Sequence, residues 1–570
     1  MTAHVIDTPT PLTFTGERMV PNASDIATEL FHWQRYLYFR PWYEGKRVVD
    51  AASGEGYGIN YASNFAEDAI GIELAADAIA HARHKYSKPR FVQGDICDYD
   101  YSDADLVISF ETIEHLENPS KFLKALSSCP GTIVISTPNR ERHSPGNSIE
   151  DKPLNQFHTV EWTPAEFAKL IKKHFAKRPV RFLSQQATWP GTIREGLDED
   201  AAYTIAVVDP PTSKAANMTE TVMKTTTGTV VPQPVPLPKW PRLGISVPTH
   251  NGSKRCRELV VGMTRYYPGE VQFAVVDNGS KPEEADALNQ LQKDFPAHVS
   301  VIHLTGNVGY GIGANTGLDY LWQEGWFDYF CVSNDDVIPA VDCLPQLVCA
   351  MKELGESGQK PGVIGPVTNS ISGAQCVDVG NYSNYAEMID FAELWHREHH
   401  SVGTQVLQLR GLFMLIHPDC LSEVGGFDPL FGIGNFEDDD HNLRTRLAGY
   451  TIWIAEGAFL HHSGSSTFAE MNVDYEASIT RNLQLICEKW GLKDFNEFLT
   501  ISKQPKGAEL FVPLTASIDM SGYVITLATG EHVDLIRQAS DVEFAAYIHN
   551  RMQSKGREAR LAVIEALEAA

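Results

Sequence analysis

No stretch of this 570-residue chain approaches the roughly 18 to 20 consecutive apolar residues that a bilayer-spanning helix needs. The opening MTAHVIDTPTPLTF also lacks a basic segment followed by an apolar run, so neither a membrane span nor a secretory leader is expected and the location is read as cytoplasmic. Basic residues are scarce. There are 47 Lys and Arg against 73 Asp and Glu, and the net charge of -26 argues against a general nucleic-acid binder or a polybasic membrane patch. The nine cysteines are scattered and contain no CxxC pair, which excludes a disulfide framework and leaves reduced, mostly buried thiols. What is present is a globular composition, 43% hydrophobic with ten tryptophans, in a chain too long for one ordinary domain of about 100 to 250 residues.

Up to Val208, short β-rich runs (RVVDAA, AIGIEL, PRFVQGD, ADLVISFE, TIVISTP) alternate with segments of helical period, as in a parallel sheet with crossover helices. Residues 209–241 turn rich in Pro and Thr and read as an extended linker. A second βα alternation (LGISVPT, VQFAVVDN, VSVIHL, YFCVSNDD) starts at Leu243. The expected fold class is therefore α/β, two doubly wound domains at 1–208 and 242–500. A C-terminal extension, 501–570, follows, with a hairpin around GYVITLATGEHVDLI and a helix from about Asp541 to Ala569.

In VVDAASGEGYG, Asp50 ends an apolar strand, and Gly54, Gly56 and Gly58 form a turn that lets backbone pass close to a ligand. Glu73 ends the next strand at the spacing where an acid holds ribose hydroxyls, and Asp95 follows the third strand, either as a ligand contact or as a turn residue. Residues 14–208 resemble the class I S-adenosylmethionine (SAM) methyltransferases. That resemblance implies that Asp50 and the three glycines line the methionine moiety, Glu73 the ribose and Asp95 the adenine. In SFETIEHLENP, Glu111, Glu114 and His115 stand at a spacing that one helical turn aims the same way, with His158 as a fourth member. Two carboxylates and two imidazoles suit a divalent cation. The same acids would equally serve as solvated residues at a helix start, with His115 packed or capping. The pattern resembles metal-dependent O-methyltransferases, in which His115 would also be catalytic.

In the second half, Pro248 to Asn251, then Asp277 and Asn278, lie at the tips of successive strands, where open α/β sheets bind nucleotides. The glycine-rich NVGYGIGANTGL, with Gly309 and Asn315, follows, and then Asn334, Asp335 and Asp336 at a third strand tip. With GGFDPLFGIGNFEDDDHNLRTRLAGY and AFLHHSGSSTF downstream, residues 243–491 resemble GT-A glycosyltransferases of family 2, the rhamnosyltransferase-like enzymes of surface glycans in particular. The resemblance implies Pro248, Asn251, Asp277, Asn278, Gly309 and Asn315 at the donor. It implies Asp336 and His461, with His462 as the fallback, at a Mg or Mn ion, Asp438 as general base and Glu437 as the residue orienting the acceptor, the reverse assignment of the acid pair remaining open. Asn334 stands where many members have aspartate, and His250 where an aromatic residue is common.

The expected function is thus bifunctional: inverting, metal-dependent transfer of a sugar from a nucleoside-diphosphate donor to a glycan or glycolipid acceptor, and SAM-dependent O-methylation of a sugar hydroxyl. A divalent metal is expected in the methyltransferase site too, and peripheral association with a glycan-assembly complex is a further expectation. The competing readings are a methyltransferase for an unrelated lipid or protein acceptor, and one domain acting as an inactive glycan-binding scaffold.

Overall fold

The computed structural model describes residues 19–21, 26–187, 191–211, 236–380, 382–399, 403–464, 475–505 and 508–514, with two short strands at 524–526 and 532–534. Two compact units result, Met1–Trp240 and Pro241–Ala570.

The first unit carries β1 (Arg47–Ala51), β2 (Asp68–Glu73), β3 (Arg90–Gln93), β4 (Leu106–Ser109), β5 (Thr132–Pro138), β6 (Val180–Gln185), β7 (Ile193–Glu195) and β8 (Tyr203–Val208). They order as β3-β2-β1-β4-β5-β8-β6-β7. β1 to β5 pair in parallel. β8 runs antiparallel between β5 and β6, and β7 antiparallel to β6, so the sheet is mixed where the sequence suggested a parallel one. Strand order reverses between β1 and β4, which opens a crevice above their carboxyl ends. The central strands are mostly apolar because helices cover them. Phe122, Leu123 and Leu126 of Pro119–Leu126 and Phe167 and Ile171 of Pro164–His174 pack with Val49, Val107, Ile133 and Ile135. A capping box, Thr163 with Glu166, starts the second of these helices.

The second unit carries β9 (Leu243–Thr249), β10 (Val271–Asp277), β11 (Val299–His303), β12 (Tyr329–Ser333), β13 (Val337–Pro339), β14 (Pro361–Val367), β15 (Thr404–Val406), β16 (Phe413–Ile416) and β17 (Thr451–His462). The order is β11-β10-β9-β12-β16-β14-β17-β13, with β15 also on β17. β9 to β12 pair in parallel, whereas β16 is antiparallel to β12 and β14. The direction of strand order changes between β9 and β12, and the nucleotide motif of the sequence sits at those two strand tips.

Asp209, the first residue of the expected linker, is buried and ion-paired with Arg181 at 2.6 Å. At its far end the Trp240 indole donates to the Tyr38 carbonyl at 3.0 Å, and residues 212–235 lie outside the described residues. In the extension, the expected hairpin is present as β18 (Val524–Thr526) antiparallel to β19 (His532–Asp534). The helix expected at 541–569 lies outside the described residues. Val512 exchanges backbone hydrogen bonds with Val424 and Gly426, so residues 508–514 belong to the second unit's framework. No helix among the described residues is long and apolar enough to cross a membrane.

Candidate functional sites

In the first unit the turn after β1 is built from positive-φ residues, Ala52 at 70°, Gly54 at 56° and Gly56 at 100°. The three glycines have different work. A β-carbon on Gly58 would lie 2.0 Å from the Tyr36 ring, and one on Gly56 would lie 2.9 Å from Phe91, so both serve close packing. Gly54 faces open space. Tyr36 donates to Asp50 at 2.9 Å, and burial pushes Asp50 up to about 7 despite that bond. Glu73 accepts from the backbone N–H groups of Gly54 and Ala75 at 3.0 and 2.9 Å, which fixes its carboxylate at the turn. Asp95 is exposed and accepts from the N–H of Cys97 at 2.8 Å, the geometry of a turn residue whose other oxygen stays accessible.

Beyond β4 the chain turns at Glu111 with φ 54° and enters a single 3-10 turn, Ile113–His115. That turn, tighter than the α-helical turn expected from the spacing, separates Glu111 from the others. Its carboxylate accepts from Ser136 Oγ at 2.9 Å and lies 3.7 Å from Arg35. Ligand atoms of Glu114, His115 and His158 do converge, all within 4.8 Å of one another. Glu114 is fully buried. Thr137 donates to its Oε2 at 3.1 Å, while its Oε1 has no hydrogen-bond partner, and burial and then Glu111 raise it well above the usual carboxylate range. His115 Nδ1 binds the Phe157 carbonyl at 3.0 Å, and His158 Nδ1 binds Glu161 at 2.6 Å. Imidazoles that ligate metals are usually oriented in this way through their second nitrogen, and an orphaned buried carboxylate oxygen among them is satisfied by a cation. The donor set fits a divalent ion once the Asn155 amide, which lies 2.9 Å from His158 Nε2, gives up that nitrogen. Sequence reasoning missed Glu161 and Thr137; the acid three residues after His158 in HTVEW was the available signal.

In the second unit a cavity of about 540 Å³ lies at the tips of β9, β10 and β12. Pro248, Thr249, His250, Asn278 and Asn334 to Asp336 form one side, and Arg410, Gly411 and Phe436 to Asp439 another. Of the three acids and amides at the β12 tip, Asp335 is taken up internally by Thr249 Oγ1 at 2.5 Å and by Arg255 at 3.1 Å. Asp336 is buried with its Oδ1 unpartnered, and its Oδ2 faces His462 Nε2 at 3.4 Å. His462 Nδ1 is anchored on the Ser370 carbonyl at 2.6 Å. Of the two histidines expected as candidates for a cation, it is His462, the fallback, that the strand turns toward Asp336. Successive strand residues face opposite ways, and His461 instead meets the Tyr382 hydroxyl at 2.6 Å and does not line the cavity. Asp336, with its Oδ1 unpartnered, and His462, both lining the cavity, fit a divalent cation.

Several of the residues expected at the donor are engaged by protein partners. Asn315, fully buried, spends its amide on the backbone of Phe427, accepting from N–H and donating to C=O at 2.7 Å each. Asp277 is held by the Ser280 N–H at 2.9 Å and by His303 at 2.7 Å. Asn251, at φ 54°, binds Ser280 and Lys281 through the next loop. Gly309 is needed because a β-carbon there would lie 2.0 Å from the Gly432 carbonyl oxygen. Pro248 and Asn278 do line the cavity, although Asn278 also ties down the backbone of Val308 and Gly309.

Glu437–Leu447 is a helix whose first turn carries four acids, a placement the helix dipole favours. Their surroundings differ. Asp440 is fully buried among Arg444, Lys489 and the Trp490 indole and is held low despite its burial. Asp439 pairs with Arg410 at 3.0 Å and accepts from Gln408. Glu437 has an unpartnered buried oxygen, and burial, then Asp438, pushes it up to about 8. Burial also raises Asp438, but the Arg410 charge and the N–H groups of Gly411 at 2.9 Å and Asp439 at 2.8 Å oppose the rise. The two adjacent carboxylates thus sit in different surroundings: Glu437 is pushed up to about 8, whereas Arg410 and two backbone N–H groups hold Asp438 against its rise. Arg410 and Tyr310, whose hydroxyl binds the Gly411 carbonyl at 2.8 Å, were not singled out from sequence.

Comparison with known proteins divides the chain the same way. Residues 245–414 match the model of glycosyl transferase family 2, and residues 49–130 match that of a methyltransferase domain. A probable S-adenosylmethionine-dependent methyltransferase of Mycobacterium tuberculosis is 34% identical over 170 residues, 29% of this chain and 61% of that protein. One of Mycolicibacterium smegmatis is 34% identical over 176 residues, 29% of this chain and 65% of that protein. The chain thus spans somewhat under two thirds of the length of these relatives. Among solved structures, the methyltransferase domain of bacterial CtHen1 is 23% identical with a TM-score of 0.25, covering 31% of this chain and 99% of that one. The chain joins, in series, a methyltransferase domain and a glycosyl transferase family 2 domain.

Proposed function

We propose that the chain is a two-site glycan-modifying enzyme, transferring a sugar from a nucleoside-diphosphate donor with inversion at one site and a methyl group from SAM to a sugar hydroxyl at the other. The observation that carries the first half is the pairing, in one cavity, of Asp336 and His462 with the split acid pair Glu437 and Asp438. An acceptor hydroxyl beside Asp438 gives its proton to that carboxylate as its oxygen attacks the anomeric carbon. The new C–O bond forms as the bond to the diphosphate oxygen breaks, and the electron pair leaves with the diphosphate. Glu437, protonated near neutrality, donates a hydrogen bond to the acceptor and adds no second negative charge beside Asp438. A divalent cation on Asp336 and His462 would supply positive charge to the departing diphosphate.

At the methyltransferase site, SAM lies on the turn that Gly54 leaves open, with Glu73 at the ribose. The acceptor oxygen attacks the methyl carbon as the carbon–sulfur bond breaks, the electron pair stays on sulfur, and the hydroxyl proton passes to solvent water. Glu114, His115 and His158 would hold a cation that makes the hydroxyl more acidic, and they would orient the acceptor around it. Two arms test the reading. The full chain is offered a panel of sugar nucleotides and SAM with glycan acceptors, and products are read by mass spectrometry. Sugar and methyl additions to one acceptor are expected. Methylation confined to non-carbohydrate acceptors would refute the methyl half, and no donor turnover with any sugar nucleotide would refute the other.

A further inference from the structure

The cavity of the second unit is bounded by side chains of two unlike kinds. Its lining includes the polar Asn278, Asn334, Asp336 and His462, and also the apolar Phe436, Ile479 and Phe495. Ile479 belongs to the helix Tyr475–Trp490, and Phe495 opens the short helix after it, both beyond the stretch that matches the glycosyl transferase model.

Phe436 and the residue before it, Asn435, both adopt left-handed backbone, φ 72° and 77°. L residues with a β-carbon rarely do this, and two in succession need outside support. Asn482 supplies it. From the same C-terminal helix, fully buried, its amide donates to the carbonyls of Phe431 and Gly434 at 2.8 Å and approaches that of Asn435 at 3.1 Å. The clamp holds the Phe436 ring at the cavity in the residue immediately before Glu437. Phe495 meets it edge to face, centroids 5.3 Å apart, and is itself backed by Phe498 at 5.0 Å and 16°. Both rings are half-buried, so each keeps surface toward the cavity.

We infer that Phe436 and Phe495 form the acceptor subsite, two rings set edge to face of which one offers its aromatic face to the C–H face of a pyranose ring while the sugar's hydroxyls point at Glu437 and Asp438. One face of a pyranose presents polarised C–H groups, which suit the negative face of an aromatic ring, and its rim presents hydroxyls, which suit carboxylates. The juxtaposition of ring and acid pair, one residue apart in sequence, matches that dual character. An acyl chain would leave Glu437 and Asp438 without partners. The inference deepens the glycosyltransferase reading and rests on it, and it makes the segment 475–500 the part of the chain that selects the acceptor.

Saturation-transfer NMR on the full chain with methyl glycosides of glucose, galactose, mannose and rhamnose, in the presence of nucleoside diphosphate and Mg, tests it. At least one glycoside should receive saturation mainly at the ring C–H protons of a single face. Phe495→Leu, which keeps apolar bulk against Phe498 but removes the ring, should weaken that glycoside's binding about tenfold, and Phe495→Trp should restore it. Circular dichroism and thermal melting identify any variant that fails to fold, and the tryptophan variant then decides. No transfer to any of the four glycosides, or unchanged binding in Phe495→Leu, would overturn the inference, as would saturation of a lipid tail but not of the sugar when a glycolipid is offered. Donor hydrolysis by the unmodified chain is assayed separately, and its absence would count against the glycosyltransferase reading instead.

Discussion

Replacing Asp438 by Asn separates proton transfer from binding at one atom pair. In the native site its two oxygens accept from the N–H groups of Gly411 and Asp439. An amide can accept only one of these, so the variant sets an NH₂ against an N–H and loses about 1 to 3 kcal/mol of local stability. The cation ligands Asp336 and His462 are untouched, and donor affinity should hold. Transfer should fall about 10²- to 10⁴-fold, the usual contribution of a positioned base. Glu437→Gln should behave differently, because a carboxyl pushed up to about 8 is already a neutral donor near pH 7 and Gln remains one. Its loss should be within about tenfold, well below that of a base. The sign of the pH dependence follows. Glu437 is protonated below about 8 and ionises above it, placing a second charge beside Asp438, so the native rate should decline on the alkaline side and Glu437→Gln should lack that decline. Steady-state release of nucleoside diphosphate in the presence of acceptor, followed from pH 6 to 9.5, reads both effects. Near-normal transfer by Asp438→Asn together with a steep loss in Glu437→Gln would refute the assignment and move the base one residue upstream.

Three other perturbations probe the remaining pieces. His462→Ala should weaken Mg- or Mn-supported donor binding at least tenfold by calorimetry while His461→Ala changes it little, and the reverse ranking would restore His461 to the site. His115→Ala should abolish methyl transfer with SAM affinity nearly intact, and full methyl transfer by the native chain in excess EDTA would exclude the cation. Lys489→Met removes a buried ammonium that lies 2.6 Å from Asp428 and 2.5 Å from Asp440, and should destabilise the second unit by about 3 to 5 kcal/mol, read as an early transition in calorimetric melting.

Much of the fold could be read from the sequence because covered parallel strands are mostly apolar. RVVDA, LVIS and TIVISTP announce β1, β4 and β5, and LGISVPT announces β9. The antiparallel members escaped detection: β8 joins β5 and β6 through pairing, and an apolar run such as YTIAVV has no local sign of its direction. The tail was illegible for a similar reason. Residues 508–514 are ordered by hydrogen bonds from Val512 to residues 424 and 426, almost ninety positions away, with no periodic pattern of their own.

The sites follow the same division between type and orientation. A motif places a kind of side chain at a strand tip, and the neighbour it meets decides whether it faces a ligand. Asp335 and Asp336 are adjacent and chemically identical, yet Arg255, 80 residues upstream, takes the first and leaves the second with an unpaired oxygen. His461 and His462 are likewise adjacent, and only the strand's alternation, fixed by pairing of Val337 with His462 and Ile338 with His461, turns the second toward Asp336. Asn315, Asp277 and Gly309 carry the opposite lesson. Their polar atoms or missing side chains hold the loops at the strand tips at close range. A signature sequence therefore records a cradle and its supports together. Asp336 Oδ1 and Glu437 Oε2 are orphaned atoms of residues that line the cavity, where a ligand can offset a cost of about 1 to 3 kcal/mol each, whereas Asn442 Oδ1 and His441 Nε2 are orphaned in residues away from it, so only the combination of orphan and cavity points to a ligand.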